Sequence, residues 1–259
     1  MSDRARRLAA LCAAGMALTL TACQGEASSS SNTKPGNDAD GKFLSHSMQL
    51  FRDASSVRVT ARSAVAMGSA VEISVDRDKN CRVDAQNGFF RVAVERGGRT
   101  WMKWREDLLE NAATTPDGER LDKALRGKWL ELGQEGRIRK SMVDLCTMTS
   151  LHNVANVLAD PRQRAIREPE TTENGERVVP VRRGEDRNSV TAYVAVGEKP
   201  YPRKLVVDIA TFSPTPVEFK LDAYGEPVTV TPPAASLTVR SAPIEALAEK
   251  NLAAGLPGS

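Results

Sequence analysis

Two periods of apolar residues alternate along this chain, and their order predicts its fold. Between Phe43 and Ala54, the residues Phe43, Leu44, Ser47, Met48, Leu50 and Phe51 fall at helical spacing, which predicts a short amphipathic helix. The period then drops to two. Val57, Val59 and Ala61 alternate with Arg58, Thr60 and Arg62, and Val71, Ile73 and Val75 alternate with Glu72, Ser74 and Asp76. Val92 and Val94 stand between Arg91 and Glu95, and Gly97-Gly98 marks a hairpin into a further strand, Thr100 to Trp104. This part reads as an antiparallel meander with one dry face and one wet face.

From Glu106 to Leu158 the pattern changes. Leu108 with Leu109, then Leu121 with Leu125, give short helical patterns, and Lys128 to Leu132 reads as a brief strand around Trp129. Ile138 to Leu158 reads as one broken helix or two consecutive ones, stopped by Asp160-Pro161. Strands return at Arg177–Arg182, Ser189–Val196, Arg203–Ile209 and Val217–Leu221, separated by Gly184-Glu185, Gly197 to Pro200, and Ser213-Pro214. Pro227 to Val230 fits an edge segment, and Pro243 to Ala254 a terminal helix. Strands, helices, then strands predict an α+β fold.

The N-terminus carries an address. Arg4, Arg6 and Arg7 precede a 13-residue apolar run, Leu8–Leu20, and then Leu20-Thr21-Ala22-Cys23. A basic start, a short apolar core and small residues before the cut make residues 1–22 a secretory signal peptide. The run is too short for a membrane span, which needs about 20 residues. Residues 23–42 read as a linker, since Gln24 to Gly41 is rich in Ser, Asn, Asp and Gly and cannot offset its ordering entropy. Such a spacer holds the following domain about 25 Å from the membrane.

Export changes the charge and the cysteine count. Residues 1–22 take away Arg4, Arg6, Arg7 and Asp3, so a formal charge of +3 becomes +1, with 33 basic and 32 acidic residues left. Two basic clusters, Arg137/Arg139/Lys140 and Arg162/Arg164/Arg167, read as solvated faces, and nucleic-acid binding, which needs a concentrated basic patch, is not expected. Of four cysteines, Cys12 leaves with the leader and Cys23 sits at the cut. Cys81 and Cys146 remain in an oxidising compartment, where a disulfide is the default. The rival is a metal site with His152, which lacks CxxC or HxxxH spacing and a fourth ligand.

The sequence carries no recognisable catalytic pattern. His46 and His152 are the two histidines, and each reads as a surface or half-buried residue. Asp144 lies eight residues from His152, two helical turns away and beyond hydrogen-bond reach. There is no Gly-x-Ser-x-Gly elbow, HExxH, phosphate-binding loop or dinucleotide glycine pattern. Glu106-Asp107 and Glu185-Asp186 sit in polar surroundings that do not raise a carboxyl pKa. No cofactor, no metal and no enzymatic activity are expected.

Leu20-Thr21-Ala22-Cys23 resembles a bacterial lipobox, which implies lipidation of Cys23, with palmitate among its acyl chains, and a cell-membrane anchor on the extracytoplasmic face. Further pieces follow in order: Ser56-Val57-Arg58-Val59, Asn80-Cys81, Leu145-Cys146, Tyr193-Val194-Ala195, Lys199-Pro200-Tyr201-Pro202, Phe219, and Tyr224-Gly225-Glu226-Pro227-Val228. With these, most of Phe43 to Pro233 resembles actinobacterial lipoproteins of the LppX/LprG type, related in fold to the LolA and LolB carriers. The resemblance implies a strongly curved antiparallel sheet, an unclosed barrel, wrapped over a few short helices. It places that domain at 43–240, with a C-terminal helix or tail at 241–259. In relatives the space between sheet and helices takes acyl chains or glycolipid, so the expected role is binding or carrying a lipid or other amphiphile. A non-catalytic envelope module that docks another protein or acts as a sensor, without a bound ligand, is the alternative.

If the helices leave the dry face incompletely covered, an apolar cleft remains. Its expected liners are Val59, Ile73, Val92, Val94, Trp101, Val194, Leu205, Val207 and Phe219 from strands, and Met142, Leu145 and Leu151 from helices. Core packing accounts for the same residues, because alternation tells which face is dry and not whether the dry space is filled. Trp101 and Trp104, three apart on one strand, must face opposite sides.

Overall fold

The computed structural model describes residues 39–62, 70–85, 89–147, 164–211 and 213–252, all within the compact unit Asn37–Ser259. A first helix, α1 (Ala39–Asp53), starts inside the expected linker and buries Leu44, Ser47, Met48 and Phe51 on one side. The meander follows as β1 (Ser56–Arg62), β2 (Ala70–Asp76), β3 (Cys81–Ala85), β4 (Phe90–Val94) and β5 (Thr100–Trp104). Sequence periodicity missed β3, because Cys81-Arg82-Val83-Asp84-Ala85 holds a single β-branched residue.

Two short helices, α2 (Glu106–Ala112) and α3 (Pro116–Leu125), lead to the expected brief strand β6 (Trp129–Glu131) and to α4 (Arg137–Leu145). The rest of the expected helical stretch to Leu158, with Leu151 and His152, lies outside the described residues. The chain continues through β7 (Ala165–Arg167), β8 (Thr171–Glu173), β9 (Glu176–Glu185), β10 (Asn188–Ala195), β11 (Pro202–Ile209) and β12 (Val217–Asp222). A 3-10 turn (Ala235–Leu237), β13 (Thr238–Val239) and α5 (Ala242–Asn251) complete it.

Among the described residues, thirteen strands belong to one sheet, in the order β13-β6-β5-β4-β3-β2-β1-β12-β11-β10-β9-β7, with β8 paired to β9. Every pairing is antiparallel except β13 with β6. Among the described residues the two ends, β13 and β7, do not pair, so the barrel is unclosed. One buried cluster joins β1 to β7 and β9 to β12 with Leu44, Met48 and Phe51 of α1, Leu109 of α2, Leu121 and Leu125 of α3, Ile138 and Met142 of α4 and Ala248 of α5. A single sheet face can share one core across so many strands only by curving around it, and the helices fill the concave side.

The wet face is partly covered too. Pro227–Val230 forms no strand. The segment 227–234 runs extended from the end of β12 to the far edge, where β13 pairs with β6. Pro227, Pro232 and Pro233 have no N–H to give a ladder. On the other half, the β8–β9 hairpin turns through Asn174 and Gly175, both at positive φ (51° and 84°), as a tight hairpin requires. Its Glu173 reaches Lys204 on β11.

Cys81 and Cys146 form a disulfide with a Cα–Cα distance of 5.6 Å, tying β3 to the end of α4. This excludes the two sulfurs as a metal pair. Helix α5 is packed into the domain: Ala248 is fully buried, and Glu245 and Glu249 accept hydrogen bonds from the backbone N–H groups of Gly133, Arg137 and Ile138. Carboxylates at the start of α4 meet the positive end of its dipole.

Candidate ligand-binding face

Strand register arranges the concave face into rungs. One runs across seven strands as Leu221–Val59–Ile73–Val83–Val92–Met102–Leu130, and every member is at most 4% exposed. A rung toward one end of the sheet runs Val57–Val75–Cys81–Val94–Thr100 and is equally closed. These two rungs are core.

The rung toward the opposite end runs Val181–Ala192–Leu205–Phe219–Ala61–Val71–Ala85. Its outer members are buried. At its centre Phe219, Ala61 and Val71, side by side on β12, β1 and β2, remain partly exposed. Ile209, at the same end of β11 and on the same face, is also partly exposed. The next rung is Arg183–Val190–Val207–Val217, buried throughout. The buried side-chain polar atoms that make no hydrogen bond include Trp104 Nε1, on the concave face near this end of β5, and Ser47 Oγ, on the buried side of α1. Enclosed polar atoms in this condition are costly.

Of the expected liners, Val59, Ile73, Val92, Val94, Met142, Val194, Leu205 and Val207 are buried in this one cluster. Leu145 and Phe219 are half-buried and pack against it. Leu151 lies outside the described residues. Trp101 does not belong with them. It pairs with Ala93 and Glu131, while its neighbour Met102 pairs with Val92 on the concave face. Trp101 is therefore on the convex face, buried there, with Nε1 donating to Glu131 Oε2 (3.2 Å) and Arg99 over its ring. Trp104 takes the concave side, as a spacing of three requires.

Sequence reasoning missed Arg183. It shares the parity of Val179 and Val181, is 3% exposed, and is the one charged residue among the buried described residues. The signal was present: in Val179-Pro180-Val181-Arg182-Arg183, an arginine occupies a dry-face position. Arg182, on the other face, bonds Gly184 O at 2.8 Å.

The convex face holds a hollow of about 430 Å³ between the crossing segment at Thr229–Thr231 and Arg58, Glu72, Arg82, Asp84 and Arg91. Its charges are largely paired: Arg58 with Asp222 at 2.6 Å and Arg91 with Asp84 at 3.1 Å. The Asp222 hydrogen bond raises the Arg58 pKa. Arg105 holds the exposed Asp107 carboxyl below its usual range. His46 is exposed on α1. Among the described residues no group of three or more His, Cys, Asp or Glu could hold a metal ion, and no helix is long and apolar enough to cross a membrane.

No family model matches the sequence, and no curated protein matches it. Solved structures do resemble it. The lipoprotein LppX of Mycobacterium tuberculosis is 12% identical, with 75% of this chain and 100% of that one covered and a TM-score of 0.47. LprF of Mycobacterium bovis is 14% identical, with 76% and 97% covered and a TM-score of 0.49. The MucA/MucB complex of Pseudomonas aeruginosa gives 11% identity, 76% and 59% coverage and a TM-score of 0.31. This chain is thus similar to lipoproteins of the LppX type, at low sequence identity.

Proposed function

We propose that this chain is a lipid-anchored, extracytoplasmic binding protein, not an enzyme, and that its concave face takes the alkyl chain of a lipid or similar amphiphile. The anchor is Cys23, after removal of residues 1–22, and residues 23–42 join it to the folded domain. The observation that carries the binding role is the partly exposed row Phe219–Ala61–Val71 at one end of an otherwise closed apolar face. An alkyl chain laid along that row would gain about 25 cal/mol per Å² of apolar surface taken from water. The unpartnered Trp104 N–H nearby is a donor for a polar group carried by such a ligand.

The second reading is a module that docks another envelope protein, and the 430 Å³ hollow beneath Thr229–Thr231 favours it. Its walls are charged, so it suits a polar peptide and not an alkyl chain.

One experiment separates the two. Ala61→Trp places an indole into the exposed row, and Val71→Trp does so from the next strand. Delipidated wild-type protein is expected to take up a long-chain amphiphile with a negative heat-capacity change, and either folded variant to lose that uptake. Uptake unchanged in both folded variants would remove this face from the account.

A further inference from the structure

Deepening the second reading, on which it rests, we propose that the convex hollow takes an extended peptide of a partner protein. The peptide pairs as a strand with Val228–Thr231 and sets an acidic side chain on Arg82. The segment 227–234 is held at both ends. Near β12, Gly225 N–H donates to Ser56 O at 3.1 Å and Ser56 Oγ donates to Glu226 O at 2.6 Å. At the far edge β13 pairs with β6. Between these ties the backbone of Val228–Thr231 makes no hydrogen bond among the described residues. Val228 and Val230 are half-buried, and Thr229 and Thr231 are exposed, so successive side chains point toward the sheet and away from it. The N–H and C=O groups of an extended chain point across its side chains, hence along the surface, and one edge borders the hollow. An unpaired extended edge is a template for another strand. Pro227, Pro232 and Pro233 have no N–H and limit this edge to four residues.

The hollow matches that edge in length. From Arg58 on β1 to Arg91 on β4 its lining crosses three strand spacings, about 14 Å, or about four residues of extended chain. Charge then selects the side chain. Arg58, Arg82 and Arg91 all line the hollow. Arg58 has Asp222 at 2.6 Å, with Glu72 adding to the field around it, and Arg91 has Asp84 at 3.1 Å. Arg82, exposed on β3 between the strands that carry them, pairs with no carboxylate among the described residues. Its planar fork suits a carboxylate that a partner brings.

The test uses the mature chain and fluorophore-tagged, end-capped peptides: Thr-Val-Glu-Val-Thr-Val, the same peptide with Gln for Glu, and two forms of the Glu probe N-methylated at alternate residues. Wild type is expected to bind the Glu probe about threefold tighter than the Gln probe at low salt, the size of an exposed ion pair. Arg82→Gln is expected to erase that difference. One N-methylated probe, the one altered on its pairing edge, is expected to bind about tenfold more weakly, for the lost backbone hydrogen bonds. Thr229→Pro and Val230→Pro remove one N–H from each edge of the segment. The fold uses neither N–H, so the melting temperature is expected to hold, and the variant altered on the hollow side to lose peptide affinity. If either variant fails to fold, the N-methylated probes decide. Equal affinity for the Glu and Gln probes, or a preference that survives Arg82→Gln, overturns the role of Arg82. Binding that N-methylation and both folded proline variants leave unchanged overturns strand pairing and keeps the docking hollow. No binding of any probe overturns the docking reading and this inference together.

Discussion

At Tyr224 one phenol joins three distant pieces of chain. Its hydroxyl donates to Pro202 O at 2.6 Å, its ring stacks on Tyr201 at 4.2 Å, and Phe51 of α1 meets it edge-on at 6.4 Å. Half-buried as a residue, it still sits among enough protein for burial to push its pKa well above the ordinary value. The folded pKa is thus above the unfolded one, near 10. Above about pH 10 the unfolded chain releases a proton that the folded chain keeps, so stability falls as pH rises. Tyr224→Phe is expected to lower the melting temperature at pH 8 through the lost hydrogen bond, and the gap to wild type should narrow as pH rises past 10. A gap that widens would contradict the assigned burial. The same scale shows what the sequence could and could not state. Alternation placed Val59, Ile73, Leu205 and Val207 on the dry face correctly, because each lies in a clean period of two. It misplaced Trp101, since Thr100-Trp101-Met102-Lys103-Trp104 offers apolar residues on both faces and only the pairing of Met102 with Val92 decides between them. It passed over Arg183 because a charge on a dry-face position looks like the end of a strand.

Helix α4 depends on another element for its start. No side chain of its own caps it at Gly136, and Glu249 of α5 supplies the acceptor to the N–H groups of Arg137 and Ile138. A Cβ at Gly136 would lie 2.2 Å from Glu245 Oε1, so a side chain there would have to push that carboxylate aside. Glu249→Ala is expected to cost about 1–2 kcal/mol in denaturant unfolding, the loss of a helix cap and its dipole contact. A neutral result would show that α5 merely rests on the domain. The other end of α4 is tied by Cys81–Cys146, which closes a sequence separation of 65 residues. Replacing both cysteines by serine is expected to cost about 4 kcal/mol in the chain-entropy account, read as a lowered denaturant midpoint that reductant no longer changes. Most elements were legible because their periods are long. β7 and β8 were not, being three residues each. Pro227 to Val230 read as an edge segment, but its flanking prolines leave it crossing the convex face without a ladder.

Across the molecule, the sheet's curvature and the placement of its helices leave one end of the concave face less covered than the rest. Cys23→Ser is expected to move the chain from the membrane fraction to the soluble one, with its melting temperature unchanged. Whether the concave face was filled was never written in the sequence: the alternation of Val59 and Ala61 is identical for a closed rung and an open one, and only register and neighbours separate 1% exposure at Val59 from the partial exposure of Ala61. The most direct measurement is native mass spectrometry of the mature protein released gently from its own membrane, paired with the Ala61→Trp variant. The account predicts a noncovalent amphiphile adduct on the wild type, in addition to the lipid on Cys23, and its absence from the folded variant. Wild-type protein that carries no adduct and takes up none of the added amphiphiles would contradict it.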